Sequence, residues 1–165
     1  MAANVYLISG GTGAGKSTYS KKLAAEIGGV HFAIDDWMAT LFWVDSPDPI
    51  EFSWTMERIG RCESQIWAQV LALTDRGVPA ILDLGFTKAA HREKFAVLAA
   101  KASLKVSLHL VDVPSDIRWE RVQNRNLEKG DTYALDVTRD MFDFMEGEWE
   151  APSEREMSQL NGIKV

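Results

Sequence analysis

The sequence predicts a doubly wound α/β domain, a parallel sheet covered on both faces by helices, and three observations predict it. Short β-branched apolar runs alternate with amphipathic segments of helix length, a glycine-rich loop joins the first run to the first helix, and acidic residues stand at the ends of later runs. At 165 residues the chain has the length of one domain, and 46% apolar against 25% charged residues is the balance of a folded globular protein.

Residues 4–9 (NVYLIS) are an apolar run that meets glycines at once, as a buried strand does on entering a tight loop. From Lys16 the pattern turns helical to about Ile27, with Leu23, Ala24 and Ile27 on one face, and Gly28 and Gly29 stop it. Residues 30–34 (VHFAI) read as a second strand that sets Asp35 at its carboxyl end, with Asp35 and Asp36 placed to cap the segment running to Phe42. Pro47 and Pro49 exclude regular helix from residues 44–50, whereas Ile59, Cys62, Ile66, Val70 and Leu73 give a long helix over 55–76. A third strand, 79–84 (PAILDL), carries Asp83 and leads into a helix over 88–101. A fourth, 104–111, precedes a helix that starts at Pro114 and runs to Asn126. A weaker helix over 137–145 and a short fifth strand over 162–165 complete the chain. Strands separated by helices imply right-handed crossovers, and ligands of such sheets gather at strand carboxyl ends, where Gly10, Asp35, Asp83 and Asp112 fall.

Charge interrupts every apolar stretch before the eighteen or so residues a membrane span needs, and no basic leader-like segment opens the sequence. A single cysteine, Cys62, excludes an internal disulfide and a thiolate metal cluster, so a cytoplasmic location is expected. A net charge of −6 disfavours a nucleic-acid backbone as partner, because that contact needs several basic residues to displace counterions. A nucleotide and a compact hydroxyl-bearing acceptor are the expected partners of one domain spanning 1–165.

Gly10, Gly11, Thr12, Gly13, Ala14, Gly15, Lys16 and Ser17 match G-x-x-x-x-G-K-[ST] between a predicted strand and a predicted helix, with Thr18 continuing into that helix. Glycines let successive backbone N–H groups curl around phosphate oxygens, and the helix N-terminus adds partial positive charge beneath them. Lys16 then reaches the β- and γ-phosphates of ATP, and Ser17 offers a hydroxyl to Mg²⁺. An acceptor hydroxyl must lose its proton as it attacks phosphorus, and Asp35 is the candidate base. Asp83 is the candidate to hold Mg²⁺ through water or to orient the acceptor. Arg118, Arg121 and Arg125, at i, i+3 and i+7, place three guanidinium groups on one helix face, where they clamp a phosphoryl group or pair with neighbouring acids. Residues 127–136, with Gly130 and Asp131, are expected to form a lid. Trp37, Phe42, Trp43, Phe52 and Trp54 either line an acceptor pocket or build core. His31, His91 and His109 show no metal-ligand spacing and are expected to be structural.

The order of these features resembles the small kinases of the adenylate-kinase-like group, specifically the AAA_33-type ATP-binding proteins related to polynucleotide 5′-hydroxyl kinases, chloramphenicol phosphotransferase and zeta toxins. The resemblance rests on GGTGAGKST at 10–18, IDDW at 34–37, ILDLGFTKAAHREKF at 81–95, VDVPSDIRWERVQNRN at 111–126 and the acidic tail around Pro152. It implies the three-layer P-loop NTPase fold with a five-stranded parallel sheet in the order 2-3-1-4-5. It also implies Asp35 as general base, Arg125 as a lid arginine on the phosphates, Asp83 as the residue that helps to place the acceptor, and Arg92 as a helix arginine after it. Two positions depart from the phage-type polynucleotide kinase pattern: Met38 replaces its basic residue after D-D-aromatic, and Lys129 stands near its second lid arginine. The resemblance implies kinase chemistry rather than any named substrate; with the residues and the net charge, the expectation is an ATP- and Mg²⁺-dependent phosphotransferase acting on a small acceptor, with a polynucleotide 5′-hydroxyl kinase and a slowly hydrolysing ATP-binding switch as alternatives.

Overall fold

The structure is a computed structural model and describes residues 4–130 and 136–165. The elements run β1 (Val5–Ser9), α1 (Lys16–Ile27), β2 (Val30–Ala33), α2 (Ile34–Leu41), a 3₁₀ turn (Trp43–Asp45) and α3 (Phe52–Thr74). They continue with β3 (Ala80–Asp83), α4 (Ala89–Lys101), β4 (Val106–Leu110), α5 (Ser115–Glu128), α6 (Arg139–Glu148), α7 (Glu154–Gln159) and β5 (Ile163–Lys164). All strand pairings are parallel, in the order β2-β3-β1-β4-β5, which is the sheet the resemblance implied.

The period-two alternation of β1 divides the core between two helical layers. Val5 and Leu7, with Phe32, Leu82 and Leu108 of the neighbouring strands, pack against α3, α4 and α7 through Ile66, Val70, Phe95, Ala99 and Met157. Tyr6 and Ile8, with Ile81, face Leu23 and Ala24 of α1. Because both faces are covered, β1 reads as an apolar run without polar alternation, whereas β4 alternates through Ser107 and His109. Cys62 lies inside the first of these cores, where burial and then Glu63 push its thiol up, away from reactivity.

Four elements differ from the expectation. β2 ends at Ala33, so Asp35 stands in the first turn of α2 rather than at a strand end. Neither Asp35 nor Asp36 caps that helix: its N-cap is Ala33, with no side-chain cap bond. The helix α7 and the 3₁₀ turn were not foreseen, since six and three residues carry too little periodicity to announce themselves.

The acidic tail after α6 fastens the loop between β3 and α4. Glu150 accepts from the amide of Ala89 at 2.9 Å and so caps α4, while Lys88 pairs with Glu148 at 3.1 Å. Glu156 of α7 takes Nε and Nη2 of Arg92 at 2.5 and 3.1 Å. The remaining arm of Arg92 donates to the Phe86 carbonyl at 2.9 Å, and Ser9 Oγ donates to the same oxygen at 3.1 Å. Phe86 is fully buried with φ +47°, a left-handed backbone that a bulky residue holds only where its surroundings over-determine it. Here His91 lies tilted against its ring and Phe95 meets it edge to face.

Candidate nucleotide and acceptor site

The loop between β1 and α1 wraps the carboxyl end of the central strand. Gly13 and Gly15 adopt φ +77° and +90°, so the chain turns through conformations that present consecutive N–H groups inward. A Cβ on Gly13 would also stand 2.6 Å from the Arg118 carbonyl oxygen, so the position is closed to other residues twice over. No side chain caps α1, and no acid stands in its first turn, which leaves the amides of Lys16, Ser17 and Thr18 for an anion.

Lys16 Nζ donates to the carbonyls of Gly10 and Gly11 at 2.9 and 3.1 Å. Burial lowers its pKa, Arg118 and Arg125 add to that, and the pull of Asp83 and Asp35 does not cancel it. The loop thus concentrates positive charge that a polyphosphate would neutralise.

Ser17, at the start of α1, donates its hydroxyl to Asp83 Oδ2 at 2.8 Å, which joins two residues 66 positions apart. The parallel register explains the meeting, because β1 and β3 are neighbours and their carboxyl ends open on the same edge. His31 Nε2 lies 3.2 Å from the same Oδ2. Sequence reading missed this contact; the only signal was a polar residue in a four-residue apolar strand, and its neighbour was not yet known. A hydroxyl and a carboxylate at hydrogen-bond distance below the phosphate loop are an oxygen donor set that suits Mg²⁺. No cluster of three or more His, Cys, Asp or Glu exists among the described residues, so an ion there would rely on phosphate and water for its other ligands.

Asp35 belongs to the same mouth. Its surface is open, yet desolvation first and the charge of Asp83 second push its pKa up, against the pull of Lys16 and Arg125. Against the same helix a pocket of about 350 Å³ is lined by Asp36, Trp37, Thr40 and Leu41. The aromatic cluster divides: Trp37, Phe42 and Trp43 pack on the core, Trp54 stacks on Trp43 at 5.9 Å, and Phe52 is 80% exposed.

The arginine face of α5 does not act as one clamp. Arg118 is buried and committed: Nε donates to Val113 O at 2.8 Å, Nη1 to Thr12 O at 3.2 Å, and both Nη groups hold Glu146 of α6 at 2.5 and 2.8 Å. Arg121 reaches Ala14 O at 3.3 Å. Arg125 alone leaves a buried Nε with no hydrogen-bond partner among the described residues, the kind of orphan an incoming anion satisfies. Arg92, to which the resemblance gave a role beside the acceptor, has no exposed side-chain surface, and its donors serve Glu156 and Phe86. Of the lid expected over 127–136, residues 131–135, Asp131 among them, lie outside the described residues, and Glu128 is still part of α5.

The solved structures most similar in shape include kinases. A sugar kinase from Janibacter sp. superposes with a TM-score of 0.63 at 18% identity, over 99% of this chain and 85% of that one. Kti12 of Chaetomium thermophilum, solved in complex with ADP-AlF3, gives 0.70 at 16% identity, over 98% and 88%. A gluconokinase from Sinorhizobium meliloti gives 0.63 at 13%, over 99% and 82%. At these identities the likeness establishes the fold. No curated protein sequence matches the chain. The AAA_33 family model, an AAA domain, matches residues 5–152, nearly the whole length, and the chain therefore belongs to that family of P-loop proteins.

Proposed function

We propose that the protein is an ATP- and Mg²⁺-dependent phosphotransferase that moves the γ-phosphoryl group to a hydroxyl of a small acceptor. The observation that carries this reading is the uncapped start of α1 with Ser17 Oγ 2.8 Å from Asp83 Oδ2 and the buried Nε of Arg125 left without a partner among the described residues; Asp35, in the first turn of α2, adds an acid subject to the charges of Asp83, Lys16 and Arg125. A nucleotide-binding loop alone needs no such acid. A carboxylate with a raised pKa beside a phosphate cradle has the placement and the basicity of a general base.

In this reading the loop amides hold the phosphates, and the Lys16 ammonium turns from the Gly10 and Gly11 carbonyls onto the transferred group. Arg125 places its unpartnered Nε against the same charge. Ser17 and Asp83 would hold Mg²⁺, which neutralises phosphate charge when bound. The acceptor oxygen bonds to phosphorus as the bridging bond breaks and ADP leaves, and its proton passes to Asp35. The pocket of Asp36, Trp37, Thr40 and Leu41 receives the acceptor's body.

ADP release from Mg-ATP across a panel of sugars, nucleosides, antibiotics and 5′-hydroxyl oligonucleotides tests the proposal; sugars come first because a sugar kinase and a gluconokinase share the fold. One acceptor should stimulate turnover in the wild type, and Lys16→Ala and Asp35→Asn should abolish the stimulation. ATP binding with no acceptor response and a silent Asp35→Asn would overturn it in favour of a nucleotide switch.

A further inference from the structure

We infer that His31 is a positioning residue for the divalent cation, acting through Asp83; the inference rests on the phosphotransferase reading. β2 is an edge strand, and its register with β3 sets His31 opposite Ile81 and Ala33 opposite Asp83. Because side chains two apart share a face, His31 and Asp83 lie on the same side of the sheet, one step apart along neighbouring strands, and that side is the one α1 covers. The imidazole spans that step, with Nε2 3.2 Å from Oδ2, and the two side chains are only 12% and 7% exposed.

Oδ2 is therefore held from two directions, by Ser17 Oγ at 2.8 Å and by His31 Nε2 at 3.2 Å. A carboxylate with one such contact can rotate about its terminal torsion, which is broad and roughly two-fold. With two contacts on one oxygen the rotation is blocked, and Oδ1, which takes no hydrogen bond from the described residues, has a fixed direction. A cation that meets a pre-oriented carboxylate and hydroxyl loses less on binding than one that must order them. His31 touches neither nucleotide nor acceptor in this arrangement; its effect runs through Asp83 alone. A histidine that merely satisfied a buried acid would support folding but would not separate metal binding from nucleotide binding.

The test is Mn²⁺ binding to the protein loaded with a non-hydrolysable ATP analogue, read by electron paramagnetic resonance, beside calorimetry of metal-free ADP and a thermal melt. His31→Ala should weaken Mn²⁺ binding about 10–100-fold while metal-free ADP affinity and the melt stay near wild type. His31→Gln, which keeps an N–H donor at similar reach, should recover most of the loss. His31→Phe keeps ring volume without the donor and takes the place of the alanine variant should that variant not fold. Wild-type Mn²⁺ affinity in the donor-free variant, or an equal loss of metal-free ADP binding, would overturn the inference. A wild-type protein that gains no Mn²⁺ site on nucleotide loading would instead sink the phosphotransferase reading itself.

Discussion

Lys16 holds the phosphate loop, and in the proposed reaction it changes partner. Its ammonium closes the loop on the Gly10 and Gly11 carbonyls at 2.9 and 3.1 Å, in surroundings that disfavour its charge. Lys16→Ala should lower turnover about 10²–10³-fold, the usual cost of removing one preorganised charge contact, while leaving the melting temperature close to wild type; steady-state kinetics and calorimetry separate the two. For Asp35 the sign of the shift makes a paired prediction. Its folded pKa is raised, so the native state holds the proton more tightly than the unfolded chain, and stability falls as pH rises from the ordinary Asp value through the raised one. Asp35→Asn should therefore raise the melting temperature slightly at neutral pH, and the kcat profile of the wild type should show an acid limb whose midpoint lies above the ordinary Asp value. At Gly13, φ +77° and a Cβ position 2.6 Å from the Arg118 carbonyl oxygen act together. Gly13→Ala should cost about 1–3 kcal/mol in urea unfolding and weaken ATP binding as well.

At the scale of elements, ion pairs hold the loops that carry the site. Arg118 ties three pieces of chain to one another, the phosphate loop through Thr12 O, the entry to α5 through Val113 O, and α6 through Glu146. Truncating it leaves Glu146 and two carbonyls without their donor. Arg118→Ala should destabilise the protein by about 3 kcal/mol and reduce ATP affinity in parallel, because the loop and the helix lose a common anchor. Arg92 does the same for the turn after β3, holding Phe86 O and Glu156. That turn follows Asp83 directly, so the C-terminal helix α7 supports the acid of the site from behind.

At the scale of the whole molecule, two buried groups among the described residues contribute to the response to acid. His109 on β4 accepts or donates at Nδ1 with Tyr19 Oη at 2.6 Å, and its Nε2 lies 3.1 Å from Ser107 Oγ, which itself donates to Asn161 O at 2.9 Å. Since that hydroxyl proton is committed, Nε2 is the donor and Nδ1 accepts from Tyr19, the neutral imidazole. Desolvation lowers its pKa, so the unfolded chain binds a proton the native state refuses, and stability is lost as pH falls from 6.5 toward the lowered value. Glu63 contributes at more acid pH. Burial alone would raise its pKa, but His91 at 2.5 Å and Lys94 at 2.6 Å outweigh it and hold the carboxyl low, joining α3 to α4. Melting temperature against pH should thus fall in two steps, the first below 6.5 and the second below the ordinary Glu value, and His109→Phe should remove only the first.

What the sequence by itself determined is what is local. The phosphate loop is eight contiguous residues whose chemistry depends on backbone conformation and one helix start, so Gly10 to Ser17 named the family of the chain and a candidate site. The sheet followed from apolar runs alternating with helices, because burial on both faces leaves that imprint on the residues. Only the tertiary structure decided which distant side chains share an atom. Ser17, His31 and Asp83 meet because β1 and β2 both flank β3, a neighbour relation the strand order creates and no spacing records. It also decided which arginines are spent: i, i+3, i+7 spacing gave Arg118, Arg121 and Arg125 one face, but Glu146 and the Thr12 carbonyl consumed Arg118, and Glu156 consumed Arg92. Charge is visible in a sequence; whether a partner has already claimed it depends on which elements pack together.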